Sequence, residues 1–324
     1  MPTTSARRRF PSASGVRLPW SDLPAAVRAR VEAKLGSPVS STQIASGGFS
    51  PAFAGVVTTR SGERTFVKDV GPAPNREAPT IYLREIRSLR RLPPGLPIPR
   101  YLWSFDAGGW VAIATEAIDG TTPRLPWRTE ELARVMAAVG ALSRTLTPAP
   151  AGFPTVAEKL RTLFGGWRLL SERRRRTPNG PESALPRWCW EHLEELVALE
   201  ARWSAATAGS TLLHSDLRAD NILLTRDRVL FVDWPHACVG AWWFDLVLML
   251  PSVAMQGGPA PWETWARLAG TDQVPEAHLR VTLAAVTGFF LDRSMQAPAP
   301  GIPTLRTFQR AQGEEGLRWL RHVW

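Results

Sequence analysis

The sequence predicts an α+β protein of two unequal lobes: a small one built on an antiparallel sheet, then a larger, mainly helical one. Three observations carry this. Hydrophobic periodicity is two over residues 43–70 and again over 101–115, and it becomes helical from residue 130 onward. A Gly-, Thr- and Pro-rich stretch, residues 116–126, separates the two regimes, so residues 1–117 are assigned to the first lobe and 118–324 to the second. The 324 residues, 44% hydrophobic and 21% charged, suffice for two cores.

Residues 1–15 are basic and small, with no apolar run behind the arginines, and read as a disordered tail of a cytoplasmic protein rather than an export signal. Residues 20–35 read as a helix, with Ser21 placed to cap it, Leu23, Val27, Val31 and Leu35 at helical spacing, and Gly36 to stop it. Residues 52–58 and 64–70 read as strands around the turn Ser61-Gly62-Glu63, and Phe66, Lys68 and Val70 share one face of the second while Val67 and Asp69 share the other. Before them lies a glycine-containing loop, Ser46-Gly47-Gly48-Phe49-Ser50. Residues 78–92 read as a helix ended by Pro93-Pro94. Glu85 falls on its apolar stripe with Ile81 and Leu89, and an inward-facing carboxylate needs a partner. Residues 101–105 and 111–115 read as two more strands joined through Asp106-Ala107-Gly108-Gly109. The second half predicts helices over 130–146, 156–176 and 188–206, short strand-like runs within 211–233, then helices over 242–256, 276–296 and 305–323.

Composition narrows the function. No run of eighteen apolar residues exists, which excludes a helical membrane span. Cys189 and Cys238 are far apart and outside any CxxC pattern, which speaks for two buried thiols and against structural zinc or a disulfide framework. The net charge of +10 is concentrated in residues 1–149, with 20 Lys+Arg against 11 Asp+Glu. No nucleic-acid-binding motif accompanies it and arginine far outnumbers lysine, so nucleic acid is not an expected partner.

The densest chemical signal is the run from Leu213 to Leu224, which contains H-x-D-L-x-x-x-N; twelve residues beyond Asn221, the apolar run Val229-Leu230-Phe231-Val232 ends in Asp233. This spacing suits phosphoryl transfer, which asks a protein for positioning and charge neutralisation more than covalent chemistry. Asp216 can accept a hydrogen bond from an attacking hydroxyl. Asn221 and Asp233 offer the hard oxygen ligands that Mg²⁺ prefers. Blander readings stand beside these: a polar turn for Asp216 and Asn221, a solvated strand lysine for Lys68, Glu77 rather than Glu85 as an acidic partner, and a plain turn for Gly47 and Gly48. Trp127, Trp234, Trp242 and Trp243 fall near the expected cleft, where one or two would stack on substrate.

The loop resembles the catalytic loop of the protein-kinase-like superfamily, and most closely that of the aminoglycoside phosphotransferase family, usually written H-G-D-x-x-x-x-N. Val232-Asp233-Trp234 and the segment Gly240 to Leu246 are similar to that family's D-W and G-D-P-x-x-D-L stretches. The resemblance implies a protein-kinase-like two-lobed fold, Asp216 as catalytic base, Asn221 and Asp233 as Mg²⁺ ligands, His214 as support for the loop, and Asp245 as a structural residue capping or bracing a helix. It further implies Lys68 as the lysine on the α- and β-phosphates, Glu85 as its partner, Gly47, Gly48, Phe49 and Ser50 as the phosphate loop, and Glu116 and Ile118 as hinge residues on the base of ATP or GTP. The implied activity is a small-molecule kinase acting on a hydroxyl, suited to antibiotic resistance or self-protection. Alternatives are a kinase of a sugar or amino alcohol, a non-catalytic nucleotide-binding regulator, and a protein kinase. The eleven residues between Asp233 and Asp245 leave no room for a long activation segment, which argues against the last. A polycationic aminoglycoside would want an acidic cleft, which this basic chain does not advertise. The protein is expected to act as a monomer or homodimer.

Overall fold

The computed structural model describes residues 10–45, 47–73, 75–177 and 185–324. Residues 1–9 of the expected tail and Ser46 of the glycine loop lie outside the described residues.

A single 3-10 turn, Trp20–Asp22, precedes α1 (Ala25–Leu35), which stops at Gly36 in the left-handed conformation (φ 72°). The chain then forms β1 (Val39–Ile44), β2 (Phe53–Thr59), β3 (Arg64–Val70), α2 (Ala78–Leu89), β4 (Tyr101–Ala107) and β5 (Trp110–Glu116). The five strands make one sheet in the order β1-β2-β3-β5-β4, antiparallel at every pairing. Strand alternation divides its faces. Phe53, Val57, Val67 and Ala114 pack outward against Leu23 and Val31 of the α1 region. Ala54, Phe66, Lys68 and Ile113 face the inner side and line a cleft. α2 closes that side by burying Tyr82, Glu85, Ile86 and Leu89; each full apolar burial contributes on the order of 1.5–3 kcal/mol.

The larger lobe comprises α3 (Thr129–Thr145), α4 (Val156–Leu160), α5 (Gly166–Arg176), α6 (Arg187–Glu191), α7 (Leu193–Glu200), α8 (Trp203–Ala206), β6 (Thr211–Leu213), β7 (Ile222–Leu224), β8 (Val229–Phe231), β9 (Cys238–Gly240), α9 (Phe244–Met255), α10 (Pro261–Trp265), α11 (Glu276–Ser294) and α12 (Leu305–His322). Two short hairpin-like ladders, β6 with β9 and β7 with β8, carry the loops of the site. One apolar core runs through both lobes, from Val70, Tyr82 and Ile113 to Phe231, Trp234 and Phe244. Cys189 and Cys238 are free and buried.

Four expectations change. Residues 10–15, read as tail, are anchored: Ala13 is buried with Met255 and Phe308, and the Gln256 amide donates to the Pro11 carbonyl at 3.1 Å. Small residues there fit a tight passage rather than disorder. The single helix expected over 156–176 is two, α4 ending at Leu160 and α5 starting at Gly166, which lies against the backbone of Gly288, where a Cβ would overlap. The helix expected over 188–206 is three short ones, α6 to α8. Finally, Trp127 and Trp243 are buried core side chains, and Trp234, also buried, is the one of the four that lines the cleft.

Candidate active site

The loop between β6 and β7 is built from its neighbours. Asp245, in the first turn of α9, does not brace its own helix: its carboxylate accepts the backbone N–H groups of His214 (2.8 Å) and Ser215 (2.7 Å). That anchor holds Ser215 at φ 62°, a conformation a non-glycine residue adopts only when its surroundings insist. His214 is fully buried against Trp234, and burial pushes its pKa down, so the ring is neutral. Its Nδ1 accepts the Asp216 N–H (3.2 Å), which makes Nε2 the protonated nitrogen, donating to the Val232 carbonyl at 2.9 Å. One ring thereby ties the Asp216 loop to the segment carrying Asp233.

Asp216 and Asn221 meet directly. The Asn221 amide nitrogen donates to the Asp216 carbonyl (2.8 Å) and carboxylate (3.2 Å), so its amide oxygen is turned away from Asp216. Arg218 binds the other side of the Asp216 carboxylate and reaches Asp220 through a second pair of bonds, at 3.1 and 2.9 Å. Burial works against its charge, but the two carboxylates outweigh it and hold the guanidinium above its ordinary range. The guanidinium also lies over the Phe49 and Phe308 rings, at 5.0 and 5.7 Å.

Opposite this loop, Lys68 on β3 donates to both oxygens of Glu85 (2.9 and 3.0 Å) and to Asp233 (2.7 Å). One ammonium thus faces two carboxylates. Burial opposes the Lys68 charge, yet Asp233 and Glu85 outweigh it and raise its pKa. Glu85, with a side chain 4% exposed, bears the cost of burial and is pushed up to about 7; Asp233, 29% exposed, is held well below the usual carboxylate range by Lys68 despite its own burial. Asp233 sits at φ 71°, which turns its carboxylate back to the cleft.

The cleft between the lobes encloses about 820 Å³ and is lined by Lys68, Glu85, Gly47, Gly48, Ser50, Glu116, Ile118, Asn221 and Asp233. Two sequence-predicted residues stand apart. Asp216 is not among the lining residues; it sits one hydrogen bond behind Asn221. Phe49 turns away, edge-on to Phe308 at 5.2 Å, because the cluster of Ala13, Met255 and Phe308 buries its ring. Sequence reasoning missed Arg218 and Asp220, although an arginine two residues from each of two carboxylates, within a catalytic loop, was a readable signal. It also missed Arg17, which lines the cleft from just beyond the residues read as tail and which no motif marks.

Among the described residues no group of three or more His, Cys, Asp or Glu side chains could hold a metal ion. Mg²⁺ does not need one: it commonly takes one or two protein oxygens and completes its shell with phosphates and water. The Asn221 amide oxygen and Asp233 carboxylate fit that donor set.

Among solved structures, choline kinase LicA from Streptococcus pneumoniae superposes with a TM-score of 0.59 at 14% identity, covering 91% of this chain and 98% of that one. An aminoglycoside-3'-phosphotransferase of type VIII gives 0.54 at 22% identity, covering 82% and 96%. A thermostable mutant of the aminoglycoside phosphotransferase APH(4)-Ia, in ternary complex with AMP-PNP and hygromycin B, gives 0.60 at 14%, covering 91% and 98%. No curated protein sequence matches the chain. Fold and sequence together define a two-lobed, kinase-like enzyme that phosphorylates hydroxyl groups of small molecules. The chain belongs to the phosphotransferase enzyme family (APH), whose model matches residues 41–280.

Proposed function

We propose that this enzyme transfers the γ-phosphoryl group of ATP or GTP, with Mg²⁺, to a hydroxyl of a natural product such as an antibiotic. The observation that carries the reading is the connection of Asp216 through Asn221 to a cleft where Lys68, Glu85 and Asp233 converge. Asp216 accepts the hydroxyl proton while the hydroxyl oxygen attacks the γ-phosphorus. The bond from phosphorus to the β–γ bridging oxygen breaks, and the nucleoside diphosphate leaves. Lys68, oriented by Glu85, meets the α- and β-phosphates. Gly47, Gly48 and Ser50 run along the phosphate tail, and the base rests on the hinge at Glu116 and Ile118. Asn221 and Asp233 would hold Mg²⁺, which supplies neutralisation of phosphate charge when bound.

Arg218 on the base and the net charge of +10 favour a neutral or mildly charged acceptor over a polycation. A panel of antibiotics, sugars and amino alcohols, incubated with ATP and GTP separately and read by mass spectrometry, tests the acceptor. A phosphate-sized mass gain on a neutral natural product is expected. Gain confined to amino alcohols or sugars transfers the assignment to primary metabolism. Tight nucleotide binding with no gain anywhere and no slow hydrolysis contradicts catalysis.

A further inference from the structure

We infer that Arg17, carried on an N-terminal strap of residues 10–19, is a second cationic ligand for the nucleotide's terminal phosphates. The inference rests on the nucleotide reading above and extends it to a segment outside the matched family region, 41–280.

The strap crosses from one lobe to the other over the glycine loop. On the larger lobe, the Val16 N–H donates to Gly301 (2.9 Å), the Ser14 N–H to the Thr304 hydroxyl (3.1 Å), and that hydroxyl back to the Ser14 carbonyl (3.1 Å). On the smaller lobe, the Leu18 N–H donates to the Ala52 carbonyl at 3.2 Å, and Ser14 bridges to Gly48. Contact with the loop is close: a Cβ on Gly15 would lie 2.7 Å from the Ser50 carbonyl oxygen. These ties fix where Arg17 enters.

Its guanidinium donates to the carbonyls of Gly47 and Ser50, the latter at 2.9 Å. Gly48, at φ 91°, wraps it so closely that a Cβ would lie 2.9 Å from Nη2. Two carbonyl dipoles do not neutralise a guanidinium. Among the described residues no carboxylate lies within ion-pair distance of Arg17, and its buried Nε has no partner. Lys68 and Arg218, by contrast, each hold two carboxylates. Burial lowers the Arg17 pKa, with Asp233 and Asp220 among the groups opposing it, so the cation is partly desolvated. A half-buried cation with unused donors, on a glycine loop and in the cleft that Asp233 also lines, is complementary to an anion with several oxygens. The β- and γ-phosphates are the anion this cleft admits. Binding there would also draw strap, loop and larger lobe together.

The test is calorimetric titration of wild type, Arg17→Met and Arg17→Lys with the Mg²⁺ triphosphate and with the matching nucleoside. Two charge-assisted hydrogen bonds predict a triphosphate Kd raised about 10- to 100-fold in Arg17→Met, partial recovery in Arg17→Lys, and a nucleoside Kd within about twofold of wild type in both. Equal triphosphate affinity in wild type and Arg17→Met overturns the inference while leaving the nucleotide reading intact. Equal losses for triphosphate and nucleoside also overturn it, since they show Arg17 to be only a prop for the loop. A wild type that binds neither overturns the nucleotide reading itself.

Discussion

At the scale of single residues, the site is a chain of polar contacts in which each member restrains the next: Glu85 to Lys68, Lys68 to Asp233, and, across the cleft, Asn221 to Asp216 and Asp216 to Arg218. Arg218 is the member with most to lose on removal, because it is buried between two carboxylates. Arg218→Met should cost about 3 kcal/mol of stability, measured by denaturant unfolding, since it strands Asp216 and Asp220 together. Arg218→Lys should recover only part, because an ammonium cannot fork to both carboxylates. Asp233→Asn should abolish any Mg²⁺ dependence of nucleotide affinity, read by titration with and without the metal; an unchanged dependence would place the metal elsewhere. Legibility at this scale followed spacing. Asp216, Asn221 and Asp233 announce themselves by their separations, and Glu85 by lying on an apolar stripe. Arg218 hid among ordinary loop positions, and a loop position does not say which way the ring of Phe49 turns.

At the scale of elements, β3 shows what alternation alone predicts. Lys68 faces the cleft, so Asp69 must face the outer core, where it is fully buried with both carboxylate oxygens unpartnered. Burial pushes its pKa up to about 8. A carboxyl raised in the folded state binds a proton that the unfolded chain gives up near pH 4, so its contribution to stability falls as pH rises from about 4 to about 8. Asp69→Asn should match wild type near pH 4 and exceed it at pH 8 by a few kcal/mol, seen as a flatter dependence of Tm on pH. Parallel pH profiles for the two proteins would contradict the burial argument. Where periodicity was strong the elements were legible, as for α2 and β3. β1 was not, because its Ser40-Ser41-Thr42-Gln43 run lies exposed along a sheet edge and has no apolar alternation to display. The place where α5 starts was invisible for a different reason: the close approach of its first residue, Gly166, to Gly288 joins residues far apart in sequence.

At the scale of the molecule, both lobes share one apolar core, and the cleft between them is bridged by polar contacts: Lys68 to Asp233, and the strap to the residues around Gly301. A ligand held by both lobes therefore stabilises the whole. Mg²⁺ and nucleoside triphosphate at about 100 times Kd should add about 2.7 kcal/mol, a rise of several degrees in Tm, and the nucleoside alone at the same concentration should add less. The two-lobe plan was legible because its halves differ in period. The strap was not, since it has neither period nor motif and is fixed by Gln256, Gly301 and Thr304, residues no local reading connects to it. In the proposed reaction Asp216 is the group through which a small-molecule hydroxyl loses its proton to become a phosphate ester. Its most direct measurement is transfer of label from γ-³²P-labelled ATP or GTP to an acceptor found on the panel, comparing wild type with Asp216→Ala. Asp216→Ala should lower the rate by about 10³-fold or more with nucleotide Kd within a few-fold of wild type; transfer at the wild-type rate would exclude Asp216 as that group.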